Sequence, residues 1–390
     1  MFFIALVLHL VFSVPLLWVT DATWHKALRF LQGIAFETNY LMPFIIFMEV
    51  IPPKRRALAV MVSFIPWTFG MCSTALVAYL IPHWRYLIVI SLLPSMFGFL
   101  YWRVLPDSPR WLLARGRTQE TADILLQISV SNGVEGVTRA DLEAQLEVVK
   151  RRQPAEQRLR TILAYPRLSL RALMLFLMSF MQYVVYSVAM LSMTVLPNSF
   201  VAHFVLSIFE LPSNFIGWAL SHYLGRRFMA YSTFLLLSGF CFAARNSHLA
   251  TDEWLFLTIL GFVKLFSTCG LFVVHLMASE VLPTPVRTSG MGVTIVFGML
   301  GMVAAPHVLH SGLGEGGHYW ILLAMTLVSV VSMIPMPETL GLNLPQTFQD
   351  AEDLGRDRPF ATWIHHWNFH RHLKTDPHHE DSEHLMQKPK

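Results

Sequence analysis

Apolar residues run along this chain in stretches of roughly 17–25, and most charged residues fall between them. A run of that length crosses the hydrocarbon core of a bilayer as one α-helix. Ten such runs are readable, at about 2–19, 27–48, 58–80, 86–104, 171–195, 200–222, 228–244, 254–279, 290–309 and 318–336. Two polar segments interrupt or close the series. In 106–170, apolar positions recur at helical spacing among charges in 120–129 and 141–152, which predicts short amphipathic helices beside the membrane. After about 345 the chain is polar and His-rich (His365, His366, His370, His372, His378, His379, His384). It lacks a fixed ligand spacing with carboxylate or Cys support, so a solvated tail is expected and no metal site.

Of the 390 residues, 54% are hydrophobic and 14% charged, more apolar surface than a soluble domain of this size can hide. The class is a polytopic membrane protein with the lipid bilayer as its first partner. Cys72, Cys241 and Cys269 all lie inside apolar runs, as small buried residues and not as a disulfide framework. There is no nucleophile–base pair, metal cluster or phosphate loop in the pattern, so neither an enzyme nor a cofactor is expected, and no nucleic acid as partner. The first run has no basic segment before it and no clear small-residue cleavage site, which makes it a spanning helix and not a signal peptide. One set of connections carries Lys54, Arg55, Arg56, the 106–170 segment, Arg226, Arg227, Arg287 and the tail; the other holds Lys26, Arg85 and Arg245. Positive charge favours the inner side, so the first set, with both termini, is expected in the cytoplasm.

The chain repeats itself. E-x-x-P-x-x-x-R occurs at Glu49–Arg56 and again at Glu280–Arg287, and Pro106-Asp-Ser is echoed by Pro337-Glu-Thr. Both pairs share one offset, 231 (280 − 49 and 337 − 106). A shared offset indicates two parallel halves, the arrangement of major facilitator transporters. The same offset sends GWALSHYLGRR (217–227) and the runs at 171–195 and 200–222 to positions before Met1. About ten of the usual twelve spans are therefore expected here, the first two lacking.

Charges inside spans are expensive and rare, which makes each a functional candidate. Glu37 lies mid-span without an evident partner in its own half, and Tyr40 is one turn away on the same face. Glu210 and Lys264 lie in two spans of the second half and either neutralise each other or face a cavity. His275 reads as a buried hydrogen-bonded imidazole or a proton-linked one. Tyr183 and Tyr186 are mid-span aromatics, suited to a cavity wall or to plain packing. Pro66, Pro94, Pro212 and the Gly-rich 290–301 supply kinks and close contacts. At the Arg-rich helix ends, a carboxylate and a guanidinium can pair within a half or across to the other, holding one conformation and releasing in another.

With these residues in view, the chain resembles solute carrier family 22, the organic cation/anion/zwitterion transporters of the major facilitator superfamily. The resemblance rests on RFLQG (29–33), SPRWLLARGR (108–117), FELPSNFIGWALSHYLGRR (209–227), ASEVLPTPVRTSGMG (278–292) and PETLGLNLPQTFQDAE (337–352). Sugar porters share the Pro-acid-Ser-Pro-Arg phrase, but FLMSFMQYVVYSVAML (176–191) lacks their paired glutamines. The resemblance implies an all-α fold of two helical bundles: 1–105 as an incomplete first bundle, 106–170 as a cytoplasmic loop, 171–340 as a six-helix bundle and 341–390 as the tail. It implies transport of a small organic ion through a central cavity, in a multi-pass protein of the plasma membrane. Glu37, Tyr40, Tyr186, Glu210 and Lys264 are then cavity or cavity-adjacent residues. Met299 stands where cation carriers often hold Asp and anion carriers Arg. Glu49, Arg56, Arg110, Gly225, Arg226, Arg227, Glu280 and Arg287 form the gating motifs. Two functions follow: a carrier of organic ions or zwitterions working by alternating access, or a truncated, non-transporting membrane protein that associates with or regulates a full-length transporter.

Overall fold

Proline and capping side chains set where the helices of this chain begin, bend and end. A computed structural model describes residues 2–52, 55–103, 107–134, 136, 138–151, 158–192, 198–247, 253–314 and 316–355, with no β-strand among them. The first half holds α1 (Phe2–Ser13), α2 (Ala22–Val50), α3 (Arg56–Leu80) and α4 (Trp84–Phe97). Pro15 turns the end of α1 into a short 3-10 segment, Val14–Leu17. The Asp21 carboxylate caps α2, accepting from the N–H groups of Thr23 at 2.6 Å and Trp24 at 3.4 Å. Those backbone donors hold its carboxyl below the ordinary carboxylate range.

Between the halves lie α5 (Pro109–Ala114), α6 (Thr118–Ser131) and α7 (Arg139–Arg151), which share a small core of Leu113, Ala122 and Leu146. Arg139 of α7 reaches Asp123 of α6 at 3.2 Å and pairs within its own helix with Glu143 at 3.0 Å. The amphipathic pattern in 106–170 thus becomes three short helices.

The second half begins with α8 (Pro166–Leu191), which carries Pro at its first position, where a missing N–H does no harm. It continues with α9 (Ser199–Ile208), α10 (Glu210–Tyr223), α11 (Arg226–Ser247), α12 (Glu253–Val281), α13 (Arg287–Leu309), α14 (His318–Ser332) and a last short helix, α15 (Phe348–Asp353). The single run at 200–222 is two helices, broken at Phe209. Pro212 has no N–H to offer the carbonyl of Ile208, and the ladder fails there. The Phe209 ring fills the space beside Gly261 of α12, where an added Cβ would lie 2.6 Å from it.

Each of the ten apolar runs corresponds to a helix or to two in succession. Seven are long and apolar enough to cross a membrane. The other three are α1 with its 3-10 extension, α14, and α2: the first two are short, and α2 carries His25, Lys26, Arg29, Gln32, Glu37 and Asn39. Outward faces are apolar, as on α13, where Val296, Leu300 and Val303 form an exposed stripe. α12 is the most enclosed helix, and α13 lies close on α8 because Gly298 and Gly301 leave room for Tyr183 and the Phe180 carbonyl. α3 belongs to the first half by sequence but packs against α9 and α10 of the second. One continuous core therefore runs from Phe44 and Phe64 to Phe234 and Phe272.

Candidate functional site

The break at Phe209 places Glu210 on the first turn of α10, in the interior, where the partial positive charge of a helix N-terminus favours a carboxylate. Lys264 of α12 puts Nζ 2.9 Å from Glu210 Oε1, and both side chains are at most 1% exposed. The Tyr186 hydroxyl of α8 donates to the same oxygen at 2.9 Å. The Lys264 ammonium also lies over the Tyr186 ring, 3.5 Å from its centroid. From α3, Trp67 Nε1 donates to the Tyr186 hydroxyl at 3.1 Å. One turn along α10, the Asn214 amide donates to Thr68 Oγ1 at 3.0 Å and to the Glu210 carbonyl at 3.1 Å. His203 of α9 lies near the backbone of Met71 and within electrostatic range of both Lys264 and Glu210. A buried ion pair with this many further bonds is a site that tolerates little rearrangement.

The structure therefore brings Tyr186, Glu210 and Lys264 into direct contact. Tyr40 stacks on Phe44, ring centroids 5.7 Å apart, and meets the edge of Phe64 at 6.5 Å. Met299 packs, half-buried, against the same core. Glu37 lies within α2, and its side chain is outside the described residues, as are those of Glu49 and Arg110. Tyr183 meets α13 at Gly298. His275 is buried with Nδ1 2.9 Å from the Leu271 carbonyl, between the rings of Phe64 and Tyr183. Trp67, Thr68, Asn214 and His203 were not singled out from sequence. An indole, a hydroxyl, an amide and an imidazole in apolar runs read as packing until the fold joins them.

A second polar centre forms at the Arg-rich helix ends. Glu280 receives both ends of the Arg226 guanidinium, Nε to Oε2 at 3.1 Å and Nη2 to Oε1 at 3.0 Å. Arg56, from the first half, approaches Glu280 Oε1 at 3.9 Å and donates to the Leu342 carbonyl at 3.2 Å. The repeated motif thus pairs both within a half and across halves. Arg287 instead donates to the Leu282 carbonyl at 3.2 Å and to Thr284 Oγ1 at 3.2 Å. Arg227 is buried at the start of α11.

The Pro337-Glu-Thr echo supplies two further partners. Thr339 donates its hydroxyl to Glu280 Oε2 at 2.6 Å, and Glu338 caps α11, accepting from the N–H groups of Arg226 and Arg227 at 3.0 Å each. Gly225 has φ +100° and lies so close to this carboxylate that a Cβ would sit 2.7 Å from Glu338 Oε2.

Farther along, Glu352 of α15 accepts from the N–H groups of Arg167 (3.1 Å) and Leu168 (2.8 Å) at the start of α8. Arg171 returns the contact, donating to the carbonyls of Ala351 at 2.8 Å and Leu354 at 2.9 Å. Each helix caps the other. Among the described residues no group of three or more His, Cys, Asp and Glu side chains is arranged to hold a metal ion. The His-rich tail lies outside them.

Comparison with known proteins adds three findings. Residues 1–350 match the family described as "Sugar (and other) transporter". The chain is 28% identical to "Organic cation transporter 1" of Caenorhabditis elegans over 369 residues, 91% of this chain and 62% of that protein. It is likewise 28% identical to the "Carcinine transporter" of Drosophila melanogaster over 352 residues, 87% of this chain and 51% of that protein. The chain thus spans about half to three-fifths of the length of these relatives. Among solved structures it resembles the proton:xylose symporter XylE bound to 6-bromo-6-deoxy-D-glucose, with a TM-score of 0.71 at 18% identity, covering 91% of this chain and 82% of that one.

Proposed function

The chain belongs to the sugar (and other) transporter family, of major facilitator fold, with solute carrier family 22 proteins among its relatives; from that premise we propose that it carries small organic ions or zwitterions across the membrane by alternating access. The observation that carries this reading is the buried cluster of Glu210, Lys264, Tyr186 and Trp67. It joins α3 of the first half to α8, α10 and α12 of the second. Charges buried in spans are retained for function. Two relatives are named for cargo of this kind, organic cations and carcinine.

In this reading 1–105 and 171–340 are the rocking bundles, 106–170 and the tail are cytoplasmic, and the membrane is the plasma membrane. Glu280, with Arg226 and Arg56, then forms the cytoplasmic gate. Glu37, Tyr40 and Met299 line the path to the cluster. The one other reading is a non-transporting protein that associates with a full-length transporter.

Uptake of labelled organic cations, anions and zwitterions into proteoliposomes holding the purified chain separates the two. The carrier reading expects saturable uptake, lowered at least about tenfold by Glu210→Gln, a loss of one charge from an enclosed site, and also lowered by Glu37→Gln. Folded protein with no saturable uptake of any class favours the associating protein.

A further inference from the structure

Positive charge collects, unanswered, where the chain turns into α8. The sequence has no Asp or Glu from Gln157 to Phe209, yet 157–171 holds Arg158, Arg160, Arg167 and Arg171. Arg171 is buried and donates to the carbonyls of α15. The other three are exposed, and none pairs with a carboxylate among the described residues. Glu352 reaches this corner, but it accepts from the backbone N–H groups of Arg167 and Leu168 and not from a guanidinium. The exposed Arg117 and Arg139 of the connecting helices, by contrast, pair with Glu120, Asp123 and Glu143.

The corner is firmly built. Leu159–Ala164 is a 3-10 turn, in which side chains three residues apart eclipse. Leu159 and Ile162 share one side, and both pack into the core. Arg160 and Leu163 share another, and Leu163 is 79% exposed, more than any other large apolar side chain described. The Ser169 hydroxyl donates to the Ile162 carbonyl at 2.8 Å, and Tyr165 stacks on Phe348. The same pairing recurs on α8, where the exposed Arg167 is followed at spacings of three by the exposed Leu170 and Leu173. Since Pro166–Leu191 is long and apolar enough to cross a membrane, this corner stands at the level of the bilayer surface. A guanidinium with an exposed leucine one turn away, twice over, matches a phosphate above an acyl chain. Its apolar side runs on into the outward stripe of α8, so lipid is the partner that meets both parts at once.

We propose that this corner docks anionic phospholipid. Arg158, Arg160 and Arg167 hold the headgroup phosphates, and Leu163 enters the acyl layer beside Leu170. In the orientation read from the charged connections, the lipid comes from the cytoplasmic leaflet, whose surface is negative. Lipid bound here braces the junction between the connecting helices and α8.

Binding of short-chain phosphatidylserine and short-chain phosphatidylcholine to the purified full chain in neutral detergent is followed by native mass spectrometry. Phosphatidylserine is expected to bind at least about tenfold more tightly. The triple variant Arg158→Gln, Arg160→Gln, Arg167→Gln is expected to erase that preference, each charge near an anionic surface contributing about fivefold. Leu163→Gln should weaken both lipids and keep the preference. Arg117→Gln with Arg139→Gln, which removes arginines already paired, should leave both affinities unchanged. Should the triple variant fail to fold, Arg160→Gln alone decides, with an expected loss of about fivefold for phosphatidylserine. Equal binding of the two lipids, or a preference that survives the arginine variants, overturns the proposal. So does displacement of phosphatidylserine by excess inorganic phosphate together with no effect of Leu163→Gln, which would mark a site for free phosphate. These readouts do not involve uptake, so the transport reading stands or falls separately.

Discussion

Trp67 of the first half donates its indole N–H to the hydroxyl of Tyr186 in the second half, at 3.1 Å. Trp67→Phe keeps a ring and removes only the donor, so a loss of about 1 kcal/mol is expected. Thermal unfolding in detergent measures it. In the double variant with Tyr186→Phe the cost should be less than the sum of the single ones, because the two share one bond. Strict additivity would show that the bond contributes nothing.

Lys264 and Glu210 are a buried pair, and removing one member leaves the other charged and alone. Lys264→Met is expected to destabilise by about 3–5 kcal/mol. Adding Glu210→Gln should recover part of that loss, since the stranded charge goes with it. Monodispersity and melting temperature of the two variants give the comparison. A double variant no better than the single one would mean that the pair is not coupled.

Gly225 combines a left-handed backbone with a neighbour that leaves no room for a Cβ. Gly225→Ala is expected to cost about 1–3 kcal/mol through strain. Glu338→Gly in the same background opens the space but uncaps α11, so it should not restore stability. A Gly225→Ala variant that melts with the unaltered chain would contradict the geometry.

Arg171 and Glu352 hold α15 on the start of α8. Arg171→Met leaves the last carbonyls of α15 without this donor. Limited proteolysis should then cut within 341–355 several-fold faster, following the higher open population. Cleavage at an unchanged rate would mean that Phe348, packed on Tyr165 with ring centroids 5.7 Å apart, holds the helix without it.

The helices were legible because a bilayer demands one feature, a long apolar run, that sequence displays directly. Glu210 and Lys264 were legible for a related reason: two opposite charges within spans of one half have few places to go but to each other. The break at Phe209 was signalled only by Pro212, which fits a bend as well as a break. Glu338 was visible as half of an echo, but its partners at Arg226 and Arg227 lie more than a hundred residues away, and no local pattern reports that. The short α15 had a weak local signature, the capping box of Thr347 and Asp350, placed after the last apolar run where only tail was expected. Trp67, Thr68 and Asn214 carry no periodic signal, since one polar atom per side chain leaves the apolar pattern intact.

The lodging of α3 among helices of the other half has a consequence for biogenesis. Trp67 leaves the ribosome 119 residues before Tyr186, Thr68 146 residues before Asn214, and Arg56 286 residues before Leu342. At about 5–20 residues per second, α3 waits roughly 6–24 s for its first partner and up to about a minute for its last. Throughout that interval Trp67 stands in the translocon or in lipid with its indole N–H unanswered, and Thr68 has only the Phe64 carbonyl of its own helix. The newly made first half is therefore an unfinished object, dependent on whatever shelters it until the second half arrives.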